Sequence, residues 1–225
     1  MVEKRLRTIF MGTPDFAVYG LRAMLEAGFI PEAVVTQPDR PKGRGMALTP
    51  PPVKEFCLRK GMNFLQPEDP TSPEFIKILG ALDLDLIVVI AYGHILKPEL
   101  LSLPKMGCLN IHASLLPQLR GPAPIQWAII NGFKETGLTA MWMDRGVDTG
   151  NILAQEKVGI APNETFGSLY EKLAQISGPF LVRVLDQLLI NGYNPGSPQD
   201  HSIATFAPKI TKDMRRIHWR RPAED

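Results

Sequence analysis

The sequence predicts an α/β fold: an open, mostly parallel sheet with helices on both faces. Three observations carry this. Short apolar runs alternate with stretches of helical period along most of the chain. The central run, residues 84–91 (LDLIVVIA), is apolar nearly throughout, as suits a strand covered on both faces. Glycines and prolines fall between the runs, where turns and helix starts need them.

Taken in order, residues 6–11 (LRTIFM) form a first strand that ends at Gly12. Pro14 then opens a helix in which Phe16, Leu21, Met24 and Leu25 recur at helical spacing, and Gly28 closes it. Residues 31–36 (PEAVVT) form the second strand. Residues 38–52 (PDRPKGRGMALTPPP) read as a long loop, with Arg40, Lys42 and Arg44 set among glycines and prolines. A loop of that length inside a compact domain is either functional or unstructured. A polar helix over 52–60 leads to a short extended piece at 63–65 and a helix over 72–82. The central strand follows, then a strand over 107–112 (GCLNIH) and a loop over 113–124 stiffened by Pro117, Gly121, Pro122 and Pro124. A helix over 124–131 precedes strands over 138–143 and 152–158. The last helix, 165–190, carries Leu169, Leu173, Ile176, Phe180, Leu181, Val184, Leu185 and Leu188 on one stripe. Residues 191–198 are rich in Gly, Pro and Asn and read as a boundary. The expected organisation is one catalytic domain over 1–190 and a linker or tail over 191–225.

Composition excludes several classes. The 225 residues, 44% hydrophobic, suit one large domain with a real core. With 25 Lys+Arg against 23 Asp+Glu there is no whole-molecule grip on nucleic acid, so any RNA contact needs a local basic patch. Cys57 and Cys108 lack metal spacing and read as buried thiols in a reducing compartment. Residues 1–7 are charged and lack a signal-peptide pattern, and the longest apolar run, 84–92, is too short to span a bilayer. A cytoplasmic protein, free of the membrane, is expected, and we read it as a monomer.

Turning to chemistry, the first strand–helix turn, Gly12-Thr-Pro-Asp-Phe-Ala17, supplies one glycine where a dinucleotide fingerprint wants three. The sheet is therefore Rossmann-like without a nicotinamide site. Asn110 and His112 stand at the end of a predicted strand, where alternation puts both on one side and Ile111 on the other. In open α/β sheets the crevice beyond the strand ends is the usual ligand site. The pair either works there or anchors the next loop. Asp148 lies between Gly146 and Gly150 in a tight turn that either aims its carboxylate inward or bonds its own backbone. Together Asn, His and Asp suit acyl transfer to an amine. The amide meets a developing oxyanion, the imidazole handles protons near neutral pH, and the carboxylate orients the imidazole. The four histidines, His94, His112, His201 and His218, lack zinc spacing, so no metal is expected. His94 reads as a surface-loop residue, and Trp127 and Trp142 as packing.

Asn110 and His112, Ser114-Leu-Leu-Pro117 through Arg120-Gly121, and Asp144-x-Gly-Val-Asp148-Thr-Gly150 resemble the folate-dependent formyltransferase family. The resemblance implies 10-formyltetrahydrofolate as donor and Asn110, His112 and Asp148 as the catalytic trio. Asn110 would hold the formyl oxygen. His112 would be proton shuttle or charged stabiliser, and Asp148 would support it. Ser114, Leu115, Leu116 and Pro117 match the family's folate-contacting segment, and Ala91, Tyr92 and Gly93 would border the pterin. Residues 11–17, 37–45 and 206–210 are similar to members that formylate initiator methionyl-tRNA for translation initiation. On that likeness Arg40, Lys42 and Arg44 would meet the tRNA, Arg44 at its acceptor end, and Lys209 would line the acceptor channel. Those members carry a C-terminal β-barrel domain that helps hold the tRNA. This sequence stops at Asp225, so weaker tRNA binding is expected. Two rivals are a formyltransferase for a sugar-nucleotide or glycinamide ribonucleotide amine, and a non-catalytic folate-binding module.

Overall fold

The structure is a computed structural model that describes residues 5–43 and 45–216. It opens with β1 (Thr8–Gly12), α1 (Asp15–Glu26) and β2 (Ala33–Val35). A hairpin of β3 (Arg40–Lys42) and β4 (Ala47–Thr49) comes next. Then follow α2 (Pro52–Lys60), β5 (Phe64–Leu65), α3 (Pro73–Gly80), β6 (Leu86–Ile90) and α4 (Pro98–Leu101). The chain continues through β7 (Cys108–His112), α5 (Pro124–Ile130), β8 (Glu135–Trp142), β9 (Ile152–Gly159) and α6 (Phe166–Asn191).

Seven strands form one sheet in the order β5-β2-β1-β6-β7-β8-β9. The first five are parallel, and β8 and β9 add antiparallel. From β1 the chain goes to one side for β2 and later returns on the other side for β6. That reversal opens a crevice at the carboxyl ends of β1, β6 and β7, where such folds bind ligands.

Helices cover both faces, as the apolar central strand requires. On one face Phe10, Val88, Leu109 and Ile111 pack under α1 and α6. On the other, Met11, Val89 and Cys108 pack with Phe75 and Leu79 of α3. Two glycines permit close approaches between elements. A Cβ on Gly12 would lie 2.6 Å from Ala17 Cβ and 2.9 Å from the Ile90 carbonyl, and one on Gly178 would lie 2.7 Å from Ala23 Cβ. The second lets α6 lie directly on α1. A capping box between Thr165 and Ser168 starts α6. By length and composition α6 could cross a membrane, but half of its apolar window is buried here, with Leu169, Leu173, Leu181 and Leu185 in the core.

The structure differs from the sequence reading in three places. Residues 38–52 are not a loop throughout, because Arg40 pairs with Thr49 and Lys42 with Ala47 in an antiparallel hairpin. Its strands are short, one contains Pro41, and β4 is exposed or half-exposed, so no apolar alternation marked them. The short α4 was not foreseen. The segment read as a linker lies on the domain: Ser197 bridges to Ile152, and Phe206 bridges to Arg120. Ala207 is fully buried in the main core.

Candidate active site

The crevice holds a cavity of about 640 Å³. Pro14 and Phe16 wall it after β1, residues 91–95 after β6, residues 110–113 from β7 onward, and Phe166 and Tyr170 from α6. Its size and mainly apolar wall suit a small-molecule site.

Three of its polar groups come from two separate parts of the chain. Asn110 is half-buried, pairs with Val89 and Met141 in the sheet, and borders the cavity. Among the described residues no hydrogen bond engages its amide, which leaves both donors for a ligand. His112 is buried, with Nε2 3.0 Å from the Leu119 carbonyl oxygen. A carbonyl only accepts, so Nε2 carries the hydrogen and Nδ1 is the nitrogen that faces Asp148. The separation from Nδ1 to Asp148 Oδ2 is 3.7 Å, which is ion-pair rather than hydrogen-bond distance. Asp148 has φ +53°, and its Oδ2 accepts from the Gly121 N–H at 2.8 Å. The local-turn role considered for Asp148 belongs instead to Asp144, whose Oδ1 accepts from Gly146 N at 2.9 Å and Thr149 Oγ1 at 2.6 Å. Asp148 is thereby free to reach across to another loop.

Ala91, Tyr92 and Gly93 line the cavity as expected. Ala91 and Gly93 both have positive φ, 48° and 86°, which turns the chain sharply after β6. The Tyr92 carbonyl accepts from Thr13 Oγ1 and Gln37 Nε2, both at 2.8 Å, so three strand ends are tied together here. Burial pushes the Tyr92 hydroxyl well above the usual tyrosine range. His94 also borders the cavity, tilted against the Tyr92 ring at 5.4 Å, and is more than a surface residue.

Ser114, Leu115, Leu116 and Pro117 are not brought to this cavity. Ser114 donates to the Gln118 carbonyl at 2.6 Å, and the Leu116 N–H donates to Thr139 Oγ1 at 3.0 Å. Gln155 Nε2 donates to the Leu116 carbonyl at 2.8 Å. These bonds hold the loop against β8 and β9. Ser114 and Leu115 border a separate, smaller recess beside Phe133, while Leu116 and Pro117 are buried. In this arrangement the stretch supports the next residues, Leu119 and Gly121, which hold His112 and Asp148.

Of the basic residues expected to meet RNA, Arg40 and Lys209 do not line the cavity. Arg40 is exposed on the hairpin, Lys42 pairs through its backbone with Ala47, and Lys209 is exposed beyond Pro208. Arg44 lies outside the described residues, as does His218. The hairpin is rooted by Asp39, which accepts from Gln66 Nε2 at 2.9 Å and Lys54 Nζ at 2.8 Å. Those bonds, Gln66 first, hold the Asp39 carboxyl below its usual range. Trp127 and Trp142 pack, with their indole N–H groups on the Pro208 and Asn194 carbonyls.

Sequence reasoning missed Phe166 and Tyr170 as cavity walls, and it missed Gln199 and Thr205; it singled out Arg120 as part of a motif without giving it a task. Tyr170 accepts from the Phe16 N–H at 3.1 Å and also bonds Asp15, which seats α6 against the start of α1. An aromatic at the first turn of a long helix was the only available signal for it.

The sequence profile of the formyl transferase family matches residues 7–185. The chain belongs to the formyl transferase family. A methionyl-tRNA formyltransferase of Moorella thermoacetica is 48% identical over 219 residues, which are 97% of this chain and 70% of that protein. Among solved formyl transferases, the phosphoribosylglycinamide enzyme of Streptococcus pneumoniae superposes with a TM-score of 0.69 at 21% identity, over 82% of this chain and 99% of that one. An N-formyltransferase of Helicobacter canadensis, solved with folinic acid and dTDP-3-aminofucose, gives 0.68 at 20% identity, over 91% of this chain and 71% of that one. At those identities the two structures share the fold, which is the Rossmann-like sheet expected from the sequence.

Proposed function

We propose that this formyl transferase moves the formyl group of 10-formyltetrahydrofolate onto the α-amino group of initiator methionyl-tRNA, the step that prepares it for translation initiation. One observation carries the reading: Asn110, His112 and Asp148 share one wall of a ligand-sized cavity, in a chain 48% identical to a methionyl-tRNA formyltransferase. The cavity's apolar lining includes Val89, Ala91, Ile95 and Met143, which suits a flat pterin, and no dinucleotide glycines compete for the crevice.

The folate donor supplies an activated formyl amide that an amine can attack directly. Asn110 then has a defined task. Its amide donates to the formyl oxygen as that oxygen gains negative charge. The attacking amine must lose a proton, and the folate nitrogen must gain one as its bond to the formyl carbon breaks. His112 Nδ1 is the nitrogen available for this transfer, because Nε2–H is held by Leu119. The Asp148 carboxylate lies 3.7 Å from Nδ1, where it offsets the positive charge on the imidazole while the oxyanion exists. Arg40, Lys42, Arg44 and Lys209 are proposed to meet the tRNA backbone, and the hairpin that carries Arg40 follows Gln37, whose side chain bonds the Tyr92 carbonyl at the cavity. The reaction belongs in the cytoplasm, where charged tRNA is made and buried thiols stay reduced.

The deciding assay supplies formyl-folate with each of three acceptors: charged initiator tRNA, glycinamide ribonucleotide and a sugar-nucleotide amine. Formylmethionyl-tRNA alone is the expected product. Turnover of a small acceptor instead would overturn the acceptor assignment. Folate binding with no turnover on any acceptor would overturn the enzyme.

A further inference from the structure

We infer that residues 197–208 are a positioning element for the His112–Asp148 pair, and that Gln199 is its principal residue. The inference rests on the reaction proposed above. Gln199 is buried, and its whole amide is engaged. Nε2 donates to the carbonyls of Asp148 at 2.9 Å and Gly150 at 2.8 Å. Oε1 accepts from Arg120 Nε at 3.1 Å and Nη2 at 2.6 Å. Asp148 is a non-glycine residue at positive φ, a conformation that its surroundings must hold. Gln199 supplies that hold at the Asp148 peptide itself.

Arg120 extends the hold to both members of the pair. It is buried, and Nη2 also lies 3.0 Å from His201 Nδ1, which must accept because arginine only donates. Its peptide is bonded on both sides to the same segment, N–H to the Thr205 carbonyl at 2.9 Å and carbonyl to the Ala207 N–H at 2.7 Å. The residue before it, Leu119, offers the carbonyl that orients His112, and its own N–H donates to Thr205 Oγ1 at 2.9 Å. The residue after it, Gly121, donates to Asp148, and a Cβ there would lie 2.9 Å from the Ala207 carbonyl. The backbone groups that bond the His112 and Asp148 side chains therefore belong to the two neighbours of one buried arginine. Leu119 and Arg120 are hydrogen-bonded to the segment that carries Gln199, and Gly121 packs closely against it.

Gln199→Glu isolates the effect. It keeps the size and the acceptor for Arg120 but turns a carboxylate oxygen toward two carbonyls. Thr205→Val removes the acceptor for Leu119, and Thr205→Ser restores it. Two measurements are made on the full chain: steady-state formylation of charged tRNA, and the ¹⁵N resonances of the His112 ring, assigned with a His112→Gln variant. A small misplacement of reacting groups lowers turnover by tens of fold or more. We expect Gln199→Glu and Thr205→Val to lose at least tenfold in kcat with KM for both substrates nearly unchanged, and to move the His112 resonances. Thr205→Ser should recover both. Unmoved resonances in the Gln199→Glu protein, or a lowered Tm with kcat per folded enzyme intact, would overturn the inference. If the unaltered protein fails to formylate tRNA, the proposed function falls by itself, and the His112 resonances still decide the positioning claim.

Discussion

Asp148→Asn tests the electrostatic core of the site with little steric disturbance. Asparagine tolerates the left-handed backbone that Asp148 adopts at φ +53°, and its amide oxygen can keep the Gly121 bond. What disappears is the negative charge 3.7 Å from His112 Nδ1, between side chains 8% and 15% exposed. At an effective dielectric of about 20, Coulomb's law puts the attraction across that 3.7 Å at ~4 kcal/mol when His112 is protonated. If the protonated imidazole forms only during transfer, that energy is lost from the transition state alone. The rate falls roughly a thousandfold, with KM nearly unchanged. Single-turnover formylation of charged tRNA under saturating folate reads this directly. A variant that kept more than a tenth of the unaltered rate would refute the assigned role of Asp148.

Other perturbations address separate links. Asn110→Ala and His112→Ala should each fold normally and lose about a hundredfold or more in kcat, measured in the same assay. Arg44→Ala should raise KM for charged tRNA while folate affinity, followed by fluorescence titration, stays put. Gly12→Ala should destabilise the domain by about 1–3 kcal/mol in urea unfolding, because the added methyl collides with Ala17 and the Ile90 carbonyl. Burial pushes the Cys57 thiol up to about 11 and the Cys108 thiol up to about 12. Both are therefore neutral at pH 8, and alkylation followed by mass spectrometry should label neither until denaturant is added.

The sheet was legible because its strands obey burial rules that leave a mark in sequence. Residues 84–91 had to be apolar on both faces, and they are Leu86 to Ile90 in a strand buried throughout. Asn110 and His112 were legible for the complementary reason. Polar side chains two apart at the end of an otherwise apolar strand must share a side, and they border one cavity. The hairpin was not legible, since its short, exposed strands contain a proline and carry no alternation. The role of residues 197–208 was hidden for a different reason. Its contacts are hydrogen bonds from Gln199, Thr205 and backbone groups to loops far off in the chain, 49 to 86 positions away for those two side chains, which follow no period. The Ser114–Pro117 motif was legible as a motif, but its place depended on Thr139 and Gln155, which lie in the antiparallel strands and showed nothing beforehand.

The docking of residues 197–208 dictates when, during synthesis, this protein can first work. A nascent chain that has emerged only through α6 already contains every strand of the sheet and all three chemical groups. Leu119 would still lack the Thr205 hydroxyl, and Arg120 the Thr205 carbonyl and the Ala207 N–H, that satisfy them. Activity should thus switch on late and abruptly, when Ala207 clears the ribosomal tunnel, and not grow as each strand is added.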